Sequence, residues 1–197
     1  MVRDANIASV APHLSPSLID IGAMNATTLL PFRVPLVRSL IHEAKYHNNI
    51  HAQELLGRIL SDHFSDWLSD ETALSGGKVI LIPIPLSASR RKERGFNQCE
   101  VFLQKALAVQ KELCSSAITL DLKTLVRIRD TEHQTRLTRN EREANLKNAF
   151  LASGPIDPGN TYILFDDVLT TGATFSAAAS ALASAGAIHI LPLALAR

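Results

Sequence analysis

Three short apolar runs constrain the fold of this 197-residue chain more than any other feature. "KVILIPIP" (Lys78 to Pro85) is continuous, carries β-branched residues and is bounded by glycine and proline. A strand with one wet face alternates apolar and polar residues. An uninterrupted run must be covered on both faces, which is the pattern of a parallel strand inside an α/β sheet. "TYILF" (Thr161 to Phe165) and the closing "HILPLAL" (His189 to Leu195) read the same way, and "AITLDLKTLVRIR" supplies one or two further strands.

Helical periods lie between the runs. Leu36, Val37, Leu40, Ile41 and Ala44 share one face, "NNIH" breaks it, and Ala52, Leu55, Leu56, Ile59, Leu60, Phe64, Trp67 and Leu68 make a second stripe. Trp67 is expected in the core. A helix is expected from about Phe96 to Leu113, and another from about Thr174 to Ala185, closed by Gly186. Residues 1 to about 30 show no clear period and carry Pro, Ser, Asn and Thr, and the start of the chain is expected to fray. Asp130 to Asn145 reads as a polar loop passing into a charged helix start. The whole is an α/β layout with a mostly parallel sheet flanked by helices.

The most informative stretch is "YILFDDVLTTGAT" (Tyr162 to Thr174), in which two carboxylates end an apolar run and small hydroxyl residues surround a glycine. In open α/β sheets, ligands collect at the carboxyl ends of strands. Leu169, Thr170, Thr171, Gly172, Ala173 and Thr174 offer backbone amides with little bulk, hydroxyl donors and the positive end of the next helix. Together these form a binding site for a phosphate monoester. Asp166 and Asp167 would repel that phosphate and must face something hydroxylated or cationic; a ribose diol with a nearby Mg²⁺ satisfies both. The residues therefore ask for a ribose 5-phosphate unit. Neither G-x-x-x-x-G-K-[ST] nor G-x-G-x-x-G is present, which excludes the common nucleotide-binding loops.

Charge is weaker evidence. The net charge is +1, but Ala88 to Asn148 holds 13 Lys/Arg against 8 Asp/Glu, a local excess of +5 that suits an anionic ligand and also suits a solvated helical face. Cys99 and Cys114 lie 15 positions apart on one expected helix. That is roughly 22 Å, too far for a disulfide. His42, His47 and His51 miss zinc-binding spacing and read as exposed polar positions, so no metal cage built from protein side chains is expected. No apolar stretch is long enough to span a membrane and the first 22 residues lack a secretory apolar core, so no membrane insertion and a cytoplasmic location are expected.

The 13-residue run resembles the phosphoribosyl pyrophosphate (PRPP) motif of type I phosphoribosyltransferases. More narrowly, "IPIPLSASRRKERGFNQ", "RDTEHQTRLTRNEREANLKNAF" and "EAKYHNN" are similar to the competence protein F (ComF) family, with Arg94-Gly95-Phe96-Asn97-Gln98, Gln134 and Arg142-x-x-Asn145 as its distinctive elements. The resemblance runs from about Leu36 to Arg197. It implies a phosphoribosyltransferase-like core over residues 76–197, with residues 1–75 as a small helical hood that chooses the acceptor. It implies Asp166 and Asp167 as catalytic residues that hold the diol, either of which can also act as a base. Pyrophosphate falls to the loop after the first core strand: Pro83, Ile84, Pro85, Leu86, Ser87 and Ser89, with Arg90, Arg91 and Arg94 behind. The bland reading of "RRKER" is a solvated basic turn. Arg129, Gln134, Arg136, Arg139 and Arg142 are implied on a mobile loop that closes over the reactive centre.

Mg²⁺ is expected to arrive with PRPP, assisted by Asp166 and Asp167. Members of the family commonly begin with a four-cysteine zinc ribbon; no cysteine precedes Cys99 here, and no structural zinc is expected. Two functions follow from the resemblance. One is Mg²⁺-dependent phosphoribosyl transfer to an unidentified acceptor with release of pyrophosphate. The other is a non-catalytic accessory role in DNA uptake, sensing PRPP or binding single-stranded DNA.

Overall fold

The computed structural model describes residues 5–69, 77–109, 118–129 and 148–197. Its centre is a six-stranded sheet in the order β1-β2-β8-β7-β3-β4. β1 (Ser17–Asp20) runs antiparallel to β2 (Asn25–Leu30), and every other neighbouring pair is parallel. The remaining strands are β3 (Val79–Pro83), β4 (Ile118–Leu120), β7 (Thr161–Val168) and β8 (His189–Ala196). A separate antiparallel ribbon joins β5 (Leu125–Arg127) to β6 (Phe150–Ala152).

Both faces of the sheet are covered, as the uninterrupted apolar runs require. Side chains alternate along each strand, so β7 sends Ile163 and Phe165 to one core and Tyr162 and Leu164 to the other. The first core is roofed by α2 (Pro35–Tyr46), α3 (Ile50–Ser69) and α5 (Gln98–Val109), after the single turn α1 (Ile7–Val10). The second lies under α6 (Ala173–Ser184) and the β5–β6 ribbon. Trp67 packs against the first core, partly buried. α6 ends as its glycine predicts. Gly186, at φ 108°, gives its amide to Ala183 O while Ala187 gives its own to Leu182 O, a Schellman closure. No helix among the described residues is long and apolar enough to cross a membrane.

Three local expectations are corrected. Residues 17–30, which show no period in the sequence, form β1 and β2 and extend the sheet, with Leu30 opposite Ala196 of β8. The segment before residue 76 is therefore not purely helical. The expected boundary near 75 lies outside the described residues, and the chain on its two sides shares one sheet and one core. "RRKER" is not a turn but part of α4 (Ala88–Arg94), capped by the Ser87 hydroxyl and stopped by left-handed Gly95 (φ 78°). β7 does not stop at Phe165. Asp166 pairs with Ala194 and Val168 with Ala196, which draws both aspartates into the strand's last residues.

Candidate functional site

β3 and β7 run side by side and end together. Pro83 lies opposite Phe165, and the Ile84 amide donates to Phe165 O at 2.8 Å. A cleft of about 380 Å³ opens at these carboxyl ends. It is lined by Asp166 and Asp167 of β7, by Thr170 and Thr174 of the next turn, by Pro85 and Leu86 after β3, by Arg90, Glu93 and Arg94 of α4, and by Gln98 of α5. Arg127 of β5 and Phe32, Lys45 and Tyr46 from the N-terminal segment complete the wall.

The two carboxylates are held differently. Asp167 is 4% exposed and faces Lys45, whose Nζ lies 2.8 Å from Oδ1; Gln98 Nε2 donates to Oδ2 at 2.5 Å. Burial alone would lower the Lys45 pKa, but the charge and hydrogen bond of Asp167 outweigh it and the value is raised. Asp166 is only partly buried. Its Oδ1 accepts the Asp167 amide at 2.9 Å and the Cys99 thiol at 3.7 Å. Burial, and then the charge of Asp167, push the Asp166 carboxyl up to about 7. Burial and the two carboxylates push the Cys99 thiol well up as well, so it stays protonated and donates.

Of the residues implied for pyrophosphate, Ile84, Pro85, Leu86, Arg90 and Arg94 reach this cleft. Ser87 is buried and caps α4. Arg91 turns away to pair with Glu100 at 3.0 Å and lines a smaller cleft of about 250 Å³ beside Asp121. Of the implied phosphate turn, Thr170 and Thr174 line the cleft while Leu169 is packed inside, its amide bonded to Ala196 O. Gly172 has φ 81°, and a Cβ there would sit 2.5 Å from Cβ of Ile21, so the glycine admits the β1–β2 hairpin as well as an unusual dihedral. Thr171 Oγ1 accepts the Ala173 amide at 3.4 Å. Arg129 is exposed and its carbonyl accepts from Arg127. Gln134, Arg136, Arg139, Arg142 and Cys114 lie outside the described residues.

Lys45, Tyr46 and Gln98 were given no role by sequence reasoning, although all three stand in quoted motifs. One signal was available for Lys45: four residues after Ile41, it borders the apolar stripe of α2. His42, His47 and His51 are exposed, as their sequence positions suggest. Ligand atoms of His42, Glu43 and His47 come within 4.8 Å of one another, while His51 bonds to Ala5 O.

These features define an α/β protein with a polar cleft at its strand ends, acidic on one wall and cationic on the other. The chain is a distant homologue of the YhgH and competence F proteins. It is 28% identical over 189 residues to DNA utilization protein YhgH of Escherichia coli K12, covering 95% of this chain and 69% of that one. It is 31% identical over 161 residues to competence protein F of Haemophilus influenzae, covering 80% and 66%. With YhgH of Salmonella typhi the match is 33% over 110 residues, covering 56% of this chain and only 45% of the relative's length. No protein-family model matches. Among solved structures, a hypoxanthine phosphoribosyltransferase from Staphylococcus aureus aligns with TM-score 0.40 and 10% identity, over 72% of this chain and 61% of that one.

Proposed function

We propose that the cleft binds Mg-PRPP and transfers its phosphoribosyl group to an acceptor, releasing pyrophosphate. The observation that carries this reading is the meeting, in one cleft, of Asp166 and Asp167, the Thr170–Thr174 turn and the Arg90/Arg94 pair. The turn and the start of α6 take the 5′-phosphate. The carboxylates accept the ribose hydroxyls. Arg90 and Arg94 take the diphosphate, because guanidinium groups donate in pairs to its oxygens. In the reaction the C1–O bond to pyrophosphate breaks as the acceptor's nucleophilic atom bonds to C1 and gives up a proton. Positive charge grows on the ring beside Asp166 and negative charge grows on the leaving group beside the arginines.

The donor set fits Mg²⁺ in a limited way. Oxygens of Asp166 and Asp167 and Sγ of Cys99 lie within 4.8 Å of one another. A thiol is a poor partner for a hard cation. Asp167 already accepts from Lys45 and Gln98. Asp166 is therefore the carboxylate that would touch an ion carried in by the diphosphate, where Mg²⁺ would neutralise the departing charge.

The test is calorimetric titration of Mg-PRPP into the wild type and Asp166→Ala/Asp167→Ala, followed by a pyrophosphate-release screen over bases, amines and oligonucleotides. Equal affinity in the double variant removes the carboxylates from the site. The names of the relatives, DNA utilization protein and competence protein, favour a second reading in which the cleft senses PRPP or the protein binds single-stranded DNA without turnover. Tight Mg-PRPP binding with no release for any acceptor decides for that one.

A further inference from the structure

The run Asn97-Gln98-Cys99 opens α5, and each side chain holds a different part of the cleft. Asn97, 1% exposed, donates Nδ2 to the carbonyl of Ile84 at 3.0 Å and so fixes the loop after β3. Cys99 donates to Asp166. Gln98, 3% exposed, does two things with one amide: Oε1 receives Arg94 Nη1 at 3.0 Å, and Nε2 donates to Asp167. Its orientation is forced, since a guanidinium only donates and a carboxylate only accepts.

We propose that Gln98 is a positioning residue that couples the two walls of the cleft, linking an anion engaged by Arg94 to a diol engaged by Asp167. The inference rests on the reading of the cleft given above. Both ends of the link are anchored beyond it. Arg94 Nη2 donates to the Tyr46 hydroxyl at 3.2 Å, its guanidinium lies 4.9 Å over that ring, and Asp167 is held by Lys45, the residue next to Tyr46 on α2. The circuit Tyr46, Arg94, Gln98, Asp167, Lys45 therefore closes on itself. Arg94 Nε is buried and has no hydrogen-bond partner among the described residues. An anion that reorients this guanidinium moves Nη1 against Oε1 of a rigid, buried amide whose other end is the carboxylate. With no exposed rotamer to absorb the movement, it passes to Asp167.

The test uses pyrophosphate and ribose 5-phosphate, alone and together with Mg²⁺, titrated calorimetrically into the wild type, Gln98→Glu and Gln98→Met. In the wild type, saturating ribose 5-phosphate changes the pyrophosphate Kd by at least about fivefold, the lower range of measured couplings. In Gln98→Met that factor falls toward one while each ligand alone still binds. Gln98→Glu keeps an acceptor for Arg94 but sets a carboxylate against Asp167 in place of the donor, so both anions meet added repulsion and ribose 5-phosphate, which also loses the oriented Asp167, weakens more than pyrophosphate. A merely structural role would weaken both alike. Unchanged coupling in both variants, or equal weakening in Gln98→Glu, overturns the proposal. Gln98→Asn, too short to span both partners, replaces Gln98→Met should the latter lose its cooperative thermal transition. Failure of either ligand to bind the wild type refutes the cleft assignment itself, and the coupling with it. Binding of both with unchanged coupling refutes the coupling alone.

Discussion

Replacing Lys45 with methionine tests whether the N-terminal segment is part of the site. Methionine keeps an unbranched stem of similar reach, so lost packing is small and the change is mainly the removal of a charge. The Lys45 and Asp167 side chains are 16% and 6% exposed, and the pair is 2.8 Å apart. An exposed pair would contribute about 0–1 kcal/mol. Removing one member of a buried pair costs about 3–5 kcal/mol, because the other charge stays behind uncompensated. Gln98 still donates to Oδ2, which places the expectation near the lower end, about 3 kcal/mol. For a chain of this length that lowers Tm by about 6–12 °C.

Urea unfolding and calorimetry at pH 7 read both quantities. The double variant Lys45→Met/Asp167→Asn leaves no orphaned charge and loses much less than Lys45→Met alone. The pH dependence has a definite sign. The folded Lys45 pKa is raised, so the contribution is fully present below the ordinary value of 10.5 and disappears as pH climbs through the folded value above it. A loss under about 1 kcal/mol for Lys45→Met at pH 7 would refute the reasoning, since it would mean that the pair is solvated.

Three further outcomes are expected. The Asp166 carboxyl is raised to about 7, so the stability it contributes is complete below the ordinary 3.8 and lost as pH rises through about 7. In Mg²⁺-free buffer the urea midpoint of the wild type falls between pH 5 and pH 8, that of Asp166→Asn falls less, and equal falls would rule this out. Arg94→Ala weakens Mg-PRPP by at least about tenfold, the scale of a lost hydrogen bond to a charged group, while Arg91→Ala, whose side chain pairs with Glu100, stays within about threefold. Equal losses in the two titrations would count against the assignment of the cleft wall. Gly172→Ala meets both a φ of 81° and the Ile21 side chain, and destabilises by more than about 1 kcal/mol in thermal unfolding. Adding Ile21→Ala recovers only the part due to collision, and an unshifted transition in Gly172→Ala would show that the turn adopts another backbone conformation.

What the sequence disclosed depends on how local the physics is. β3, β7 and β8 are buried on both faces, so composition alone marks them. α2 and α3 carry their burial as a stripe. α4 buries no residue, so no stripe exists to read; only its ends, a capping serine and a left-handed glycine, carried information. β2 was missed because "NATTLL" begins with polar residues and its burial comes from β8, at the far end of the chain. The site divides in the same way. The aspartates, threonines and Gly172 occupy one contiguous motif whose chemistry is legible in line. Gln98 meets Asp167 across 69 positions, and nothing in its neighbours announces that partner.

The circuit around Asp167 also answers a difficulty posed by the motif itself. Two carboxylates beside an anionic ligand ought to repel it, and two carboxylates turned wholly into packed protein could not hold a sugar. The structure does neither. Asp167 is anchored inside, with Lys45 cancelling its charge, while Asp166 stays at the cleft surface with its pKa near neutrality. The acidic wall therefore carries at most about one net negative charge rather than two, and less when Asp166 is protonated. Lone pairs of both carboxylates are still free to accept hydroxyls. On this argument the lysine of α2 is what makes an acidic doublet compatible with a phosphorylated ligand. Lys45→Met should then weaken pyrophosphate and ribose 5-phosphate together, whereas Gln98→Met, which leaves the charge of the cleft unchanged, removes their coupling while each still binds alone, because the first restores a long-range repulsion and the second removes only directed bonds.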